Sequence, residues 1–363
     1  MKVSIGSKII DGPWGGGNLF VVNLKEFLIK NGHKVIHNLS EKDIDIILLT
    51  DPRSRKESSS TFNHKDVLEY IKYINPNTSV IQRINECDER KGTKHINQFY
   101  LEASNCSHHI VFVSDWLREI YLNLGLSKLK TSVIMSGADK NIFNQSNLAK
   151  FNRKKIKFVT HHWSSHKNKG FDIYLKFDNL LDKPEYKNLE FTYIGNVPKD
   201  LNFKNIKVSE PLAGFELASK IKENNIYITA SKFEPSGNHH IEAAQCGLPI
   251  LYYQSGGIPE YCEGYGIPFN DENFEEKLNL IIDNYFKIQL NLINYPFSAD
   301  LMCEEYLEKF YEVLSKNDSM NKRNNIFLAN LFLVKNKLKY LFINITIKQY
   351  LILIYRNLFR RWI

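Results

Sequence analysis

Ser231-Lys232-Phe233-Glu234-Pro235-Ser236-Gly237-Asn238-His239-His240-Ile241-Glu242-Ala243-Ala244-Gln245-Cys246-Gly247-Leu248-Pro249 is the stretch from which the rest of the chain can be read. The apolar run 226–229 ahead of it predicts a buried strand that closes near Glu234. Glu242 falls eight residues later, inside a predicted helix 238–246 whose first turn begins around Gly237-Asn238. Such a helix start aims backbone N–H groups and a partial positive charge at an anion or a hydroxyl. Two carboxylates flanking the same pocket suit a polyol, because each accepts hydrogen bonds from neighbouring hydroxyls. A lone Glu reads as solvated surface. The pair points to a site because the glycine and the helix start fall between its members.

Outward from this stretch, short apolar runs alternate with longer amphipathic segments, the pattern of parallel sheets covered by helices on both faces. The first half predicts strands at 2–5, 35–37, 44–49, 80–83, 110–113 and 132–135. Helices are expected at 18–30, 65–74, 94–104 and 115–124, the last capped by Ser114. The polar stretch 144–155 reads as a linker. Beyond it the rhythm repeats: strand 156–160, helix 171–181, strand 190–194, helix 214–222, then the central stretch and strand 249–252. A last helix, 298–314, presents Leu301, Tyr306, Phe310 and Leu314 at mostly helical spacing. The expected fold class is therefore α/β, with two Rossmann-like domains at 1–145 and 146–296. Segment 297–316 is a candidate to pack back onto the first, and 317–363 forms a basic, apolar tail.

The chain has 363 residues, 43% of them hydrophobic, enough for a core in each domain. The formal charge of +8 is not a nucleic-acid signal. Nine basic residues and no acidic one follow Asp318, so the main body is close to neutral and no nucleic-acid partner is expected. The five cysteines are scattered without a C-x-x-C pair, which reads as reduced thiols in a cytoplasmic protein. Met1-Lys2-Val3-Ser4-Ile5-Gly6 leads straight into a strand-like run, so no cleaved signal peptide is expected. No uncharged apolar stretch reaches the roughly 20 residues a membrane span needs.

A second candidate follows the first strand: Asp11-Gly12-Pro13-Trp14-Gly15-Gly16-Gly17-Asn18. Consecutive glycines let the backbone approach a ligand, and the helix behind them offers its N-terminus. The spacing is not G-x-G-x-x-G, so the loop fits a phosphate or sugar contact better than a dinucleotide. A plain flexible turn is the bland alternative. No acidic residue is placed for an adenine ribose, which makes a dehydrogenase the weakest reading.

Glu234 and Glu242 with seven residues between them, followed by Ala243-Ala244-Gln245-Cys246-Gly247-Leu248-Pro249 and Gly256-Gly257-Ile258-Pro259-Glu260, resemble the donor-site signature of retaining glycosyltransferases of the GT-B fold, family 4 type. Ser136-Gly137-Ala138-Asp139-Lys140-Asn141-Ile142-Phe143 is similar to the family's domain-junction segment. Val113-Ser114-Asp115-Trp116-Leu117 and Lys169-Gly170-Phe171-Asp172 are similar to two further landmarks. Together they cover roughly residues 1–316 in the family's order.

The resemblance implies roles. Glu242 would accept hydrogen bonds from a nucleotide ribose, and Glu234 would face the donor sugar. Ser236, Gly237 and Asn238 would position that sugar, with His162 at the strand end facing the cleft. Lys169 and the loop Gly15, Gly16, Gly17 would neutralise the departing diphosphate. No metal or other cofactor is implied, and Glu234 is not thereby a glycosidase nucleophile. Two departures stand out. The family's Arg, five or six residues before its Lys, is replaced by Ser164 or Trp163, which leaves His166 or Lys167 as substitutes. The acceptor-side His is absent from Arg83-Ile84-Asn85-Glu86-Cys87-Asp88-Glu89-Arg90, where Asn85, Glu86, Asp88 and Arg90 are expected to line the cleft. The adjacent pairs His161-His162 and His239-His240 point apart in regular structure, so neither chelates a metal by itself.

The implied function is transfer of a sugar from a nucleoside diphosphate to a saccharide or lipid-linked acceptor. A GT-B nucleotide-sugar epimerase and a non-catalytic sugar-nucleotide-binding partner are the rival readings. The tail, with Phe327, Leu331, Leu338, Leu351, Leu358 and Trp362 among basic residues, suits an anionic membrane surface through residues 324–363. Packing on the protein's own surface, or against a partner, is the alternative.

Overall fold

The structure is a computed structural model that describes residues 1–10, 12, 15–53, 59–316 and 326–343. Asp11, Pro13 and Trp14 of the glycine loop, and tail positions 324–325 and 344–363, lie outside the described residues.

The first half runs β1 (Lys2–Ile5), α1 (Gly16–Lys30), β2 (Lys34–Ile36), β3 (Ile46–Leu49), α2 (His64–Tyr73), β4 (Ser79–Ile84), α3 (Asp88–Lys91), α4 (Ile96–Ala103), β5 (His109–Phe112), α5 (Asp115–Asn123) and β6 (Thr131–Val133). Its sheet is parallel throughout, in the order β2-β1-β3-β4-β5-β6. All four residues of β3 are buried, which is why such strands read as continuous apolar runs rather than alternating ones. Local signals set the helix starts. Asn63 and Asp66 close a capping box on α2, and the Ser114 hydroxyl accepts the Leu117 N–H to open α5.

The second half runs β7 (Ile156–His162), α6 (Phe171–Leu180), β8 (Leu189–Gly195), β9 (Lys207–Ser209), α7 (Gly214–Lys222), β10 (Ile226–Thr229), α8 (Asn238–Gln245), β11 (Ile250–Tyr253), α9 (Ile258–Cys262), β12 (Gly266–Phe269), α10 (Phe274–Asp283) and α11 (Tyr285–Leu292). Its parallel sheet has the order β12-β11-β10-β7-β8-β9. The chain leaves β7 to one side for β8 and β9, then returns to its other side with β10. The gap between β7 and β10 is thus a topological switch point, the position outside the strands' carboxyl ends where open α/β sheets bind ligands.

The two halves meet where the chain crosses twice. Ala138 and Ser298 form an isolated parallel bridge, with Ala138 N–H donating to Phe297 O and Ala299 N–H to Ala138 O. After this second crossing α12 (Ala299–Ser315) lies on α1. Its Met302, Tyr306 and Phe310 join Val3, Phe20 and Leu24 in one buried cluster.

The tail helix α13 (Ile326–Ile343) packs on α2. Phe332 is buried against Tyr70, Lys339 pairs with Asp66 and Lys335 with Glu69. Packing on the protein's own surface therefore describes one face of this helix. Phe327, Leu331, Val334 and Leu338 remain exposed on it.

Gly137 has no room for a side chain: a Cβ there would stand 2.1 Å from the Ser298 carbonyl carbon. Gly137→Ala is expected to cost about 1–3 kcal/mol, the usual range for overpacking. The check is a lowered urea midpoint at an unchanged m-value.

Candidate functional site

The carboxyl ends of β7 and β10 and the start of α8 open into a cleft whose other wall is the first domain. Gly15, Gly16, Gly17, Arg83, Asn85 and Arg90 line it from one side; His161, His162, Lys169, Glu234, Ser236, Gly237, Asn238 and Glu242 line it from the other. Gly237 takes φ +94°, and a Cβ on it would meet His239, Glu234 and His240 at 2.8–3.0 Å. Glycine is thus required where the backbone turns from the strand into α8. No side chain caps the first turn of α8, so its N–H groups face the cleft available to a ligand.

Glu234 is buried, yet both of its oxygens are paired. Lys169 Nζ donates to Oε2 at 2.6 Å and Arg90 Nε to Oε1 at 3.0 Å. Burial alone would raise its pKa, but the Arg90 and Lys169 charges override it and hold the carboxyl well below the usual range. Lys169 is lowered by its own burial against the pull of Glu234. Arg90 is raised, chiefly by Glu234. The Arg90 carbonyl also accepts from Asn168 Nδ2 at 2.9 Å, so the second domain grips this residue by side chain and backbone alike.

Glu242 Oε2 lies 2.9 Å from His161 Nε2, and Tyr227 Oη is 3.2 Å from His161 Nδ1. A ring protonated on Nε2 satisfies both contacts, donating to Glu242 and accepting from Tyr227. His162 Nε2 meets Tyr174 Oη at 2.8 Å, while its Nδ1 is buried without a partner among the described residues. The two adjacent histidines are therefore directed to different partners. Among the described residues, no three His, Cys, Asp or Glu side chains come together as a metal-holding group.

Of the four positions expected on the acceptor side, Asn85 and Arg90 line the cleft and the other two do not. Glu86 stands behind, paired to Arg90 and Lys91 at 3.0 Å each. Asp88 is occupied at the start of α4, where it accepts the N–H groups of His95, Ile96 and Asn97. The suggested substitutes for the family's Arg are also placed elsewhere: His166 and Lys167 are exposed and outside the cleft lining. The second cation beside Lys169 comes instead from the opposite domain, as Arg90. Two further residues escaped sequence reasoning. Arg83 lines the cleft from β4. Glu260 reaches across the domain boundary to accept the Asp115 and Trp116 N–H groups at 2.7 Å each, capping α5 from the other domain. Ser236 and Ser136 hydroxyls, 3.3 Å apart, add another link across the boundary.

No protein-family model matches the chain. A probable sucrose-phosphate synthase of Thermosipho melanesiensis is 28% identical over 179 residues, 44% of this chain and 42% of that protein. The chain thus spans less than half of that relative's length. Among solved structures, a glycosyltransferase from Rickettsia africae superposes with a TM-score of 0.63 at 16% identity, covering 87% of this chain and 99% of that one. Anabaena HepE in complex with UDP superposes at 0.64 and 14% identity over 86% and 99% of the two chains. The sucrose-phosphate synthase of Thermosynechococcus elongatus superposes at 0.62 and 13% identity, again over 86% and 99%. The protein has the GT-B fold: two facing Rossmann-like domains with a cleft between them.

His162, His239 and His240 are kept neutral by burial, His240 down to about 3. Once unfolded, each protonates near pH 6.5, so the unfolded state binds more protons below that value and stability falls as pH drops. Each such group contributes about 1.4 kcal/mol per pH unit. Unfolding midpoints measured from about pH 7 to pH 4 should therefore decline, and His240→Gln should make the decline shallower.

Proposed function

We propose that the protein is a retaining glycosyltransferase of family 4 type that takes a nucleoside diphosphate sugar as donor. The observation that carries this reading is the buried Glu234 held between Lys169 and Arg90, beside the uncapped start of α8, at the switch point of the second sheet. The relative named as a probable sucrose-phosphate synthase and the UDP complex of HepE support a nucleotide-sugar donor.

In this reading Glu242 and the pocket around His161 receive the nucleotide ribose. The α8 start, with Ser236, Gly237 and Asn238, positions the sugar, and Glu234 accepts from its hydroxyls. His162 and the Gly15–Gly17 turn complete the donor wall. Lys169, buried, and Arg90, half-buried, are two cations gathered around one carboxylate. When a diphosphate enters, they are placed to share themselves between Glu234 and the phosphate oxygens. The bond from the anomeric carbon to the diphosphate oxygen breaks as the acceptor oxygen bonds to the same face of that carbon. The acceptor proton passes to the leaving phosphate oxygen, so the step needs no protein nucleophile and no protein-held metal. Arg90 belongs to the opposite domain, so the leaving group is fully neutralised only with the cleft closed.

The acceptor in this reading is a saccharide or a lipid-linked saccharide, used in making cell-surface polysaccharide or glycolipid at the cytoplasmic membrane face. The tail supports that location: α13 exposes Phe327, Leu331, Val334 and Leu338 beside basic residues. Among the described residues no helix is long and apolar enough to cross a membrane.

Thermal shift against UDP-, GDP-, ADP- and dTDP-sugars should show stabilisation by one nucleotide class, lost in Glu242→Ala. No response to any of them would remove the donor assignment. With that donor, Lys169→Ala should reduce turnover by about 10²-fold or more while the fold persists, in line with losing one charge-stabilising contact. Flotation with anionic liposomes should carry the full chain upward and leave a variant lacking residues 324–363 behind; equal flotation would remove the membrane role.

A further inference from the structure

Arg83, the penultimate residue of β4, lies on the first-domain wall of the cleft, with 4% of its surface exposed. Among the described residues no carboxylate lies within ion-pair distance of it, although Arg53, Arg90, Arg118 and Arg153 all have such partners. Among the described residues its Nε is buried without a hydrogen-bond partner, and the Tyr306 hydroxyl stands beside the guanidinium. The guanidinium lies over the Phe20 ring, 4.1 Å from its centroid, which holds its plane without neutralising it. A buried guanidinium lacking a counter-charge is unfavourable unless something supplies one. Asn23 and Asn85, whose amides can donate to an anion, line the same cleft, and α1 opens at Gly16 with no side-chain cap and no acidic residue in its first turn.

We infer that Arg83 is the anchor of an oxyanion subsite on the acceptor side, so that the second substrate carries a phosphate or carboxylate which the guanidinium fork grips. The inference rests on the proposed transferase reading for the word acceptor. The anion site itself does not. In that reading the donor's diphosphate has its own cations: Lys169 on the other wall, and Arg90, which reaches from the same wall as Arg83 to Glu234.

The test uses the full chain saturated with UDP, so that phosphate sites near Lys169 are filled, and repeats each titration without nucleotide. The probes are inorganic phosphate, glucose 6-phosphate, glucuronate and glucose. The wild-type protein should bind one or more of the charged probes and ignore glucose. A response to phosphate and its ester alone assigns the phosphate form, and one to glucuronate alone the carboxylate form. Arg83→Met should weaken the charged probe at least tenfold, leave UDP affinity within threefold and raise the melting temperature of the unliganded protein, because it removes an uncompensated buried charge. Arg83→Lys should keep part of the binding. A wild-type protein indifferent to all charged probes would overturn the inference. A tenfold loss of UDP affinity in Arg83→Met would move the residue to the donor side. A lowered melting temperature with unchanged probe binding would make it structural. Failure of every nucleotide to bind would count against the transferase reading instead, with the titrations lacking nucleotide still deciding the anion site.

Discussion

Glu234 is an anion taken out of water, and a buried charge is tolerated only where opposite charge meets it. Here the neutralisation is shared: Lys169 arrives from the same domain and Arg90 from the other. The constraint reaches both ways along the chain. Lys169 must follow β7 closely enough to point into the cleft, and the short helix α3 must lie across from the start of α8. Removing Glu234 would leave Lys169 buried without its counter-charge, whereas removing either cation leaves the carboxylate with a single partner.

The rest of the boundary between the halves holds that trio in register. Glu260 caps α5 across it, Ser236 meets Ser136, and the Tyr261 hydroxyl donates to Val113 O while accepting from Ser136 N–H. Two chain crossings run side by side at Ala138 and Ser298, and α12 returns to pack on α1. The same return brings Tyr306 beside Phe20, with ring centroids 5.1 Å apart, and so builds the floor on which Arg83 rests. Cleft and domain junction are one construction, since contacts that fix the domains also place the cations.

Much of this was legible in the sequence. Strand 226–229 and helix 214–222 match the observed spans, and most other boundaries fall within two residues, because apolar periodicity survives wherever an element has one consistently buried face. The two-domain α/β architecture read from the alternation of apolar runs and amphipathic segments is the one observed. What escaped were short or weakly patterned pieces: α3 with four residues, β9 with three, and the closing run α9, β12, α10 and α11. Such segments are too short, or too dependent on what they pack against, to show a period of their own. Asp88 was expected in the cleft by its position after β4, yet three backbone N–H groups at the start of α4 claim its carboxylate.

The sequence by itself determined which segments become strands and helices, where the glycines permit a helix to start beside a ligand, and which two carboxylates frame the pocket. These are properties of neighbouring residues: periodicity, conformational freedom at Gly237, and the eight-residue spacing from Glu234 to Glu242. Only the tertiary structure decided which cations answer those carboxylates and which stand unanswered. Arg90 and Glu234 are separated by 144 residues, and no local pattern could pair them. Among the described residues Arg83 has no carboxylate beside it, and that becomes visible only once its neighbours in space have been brought into place.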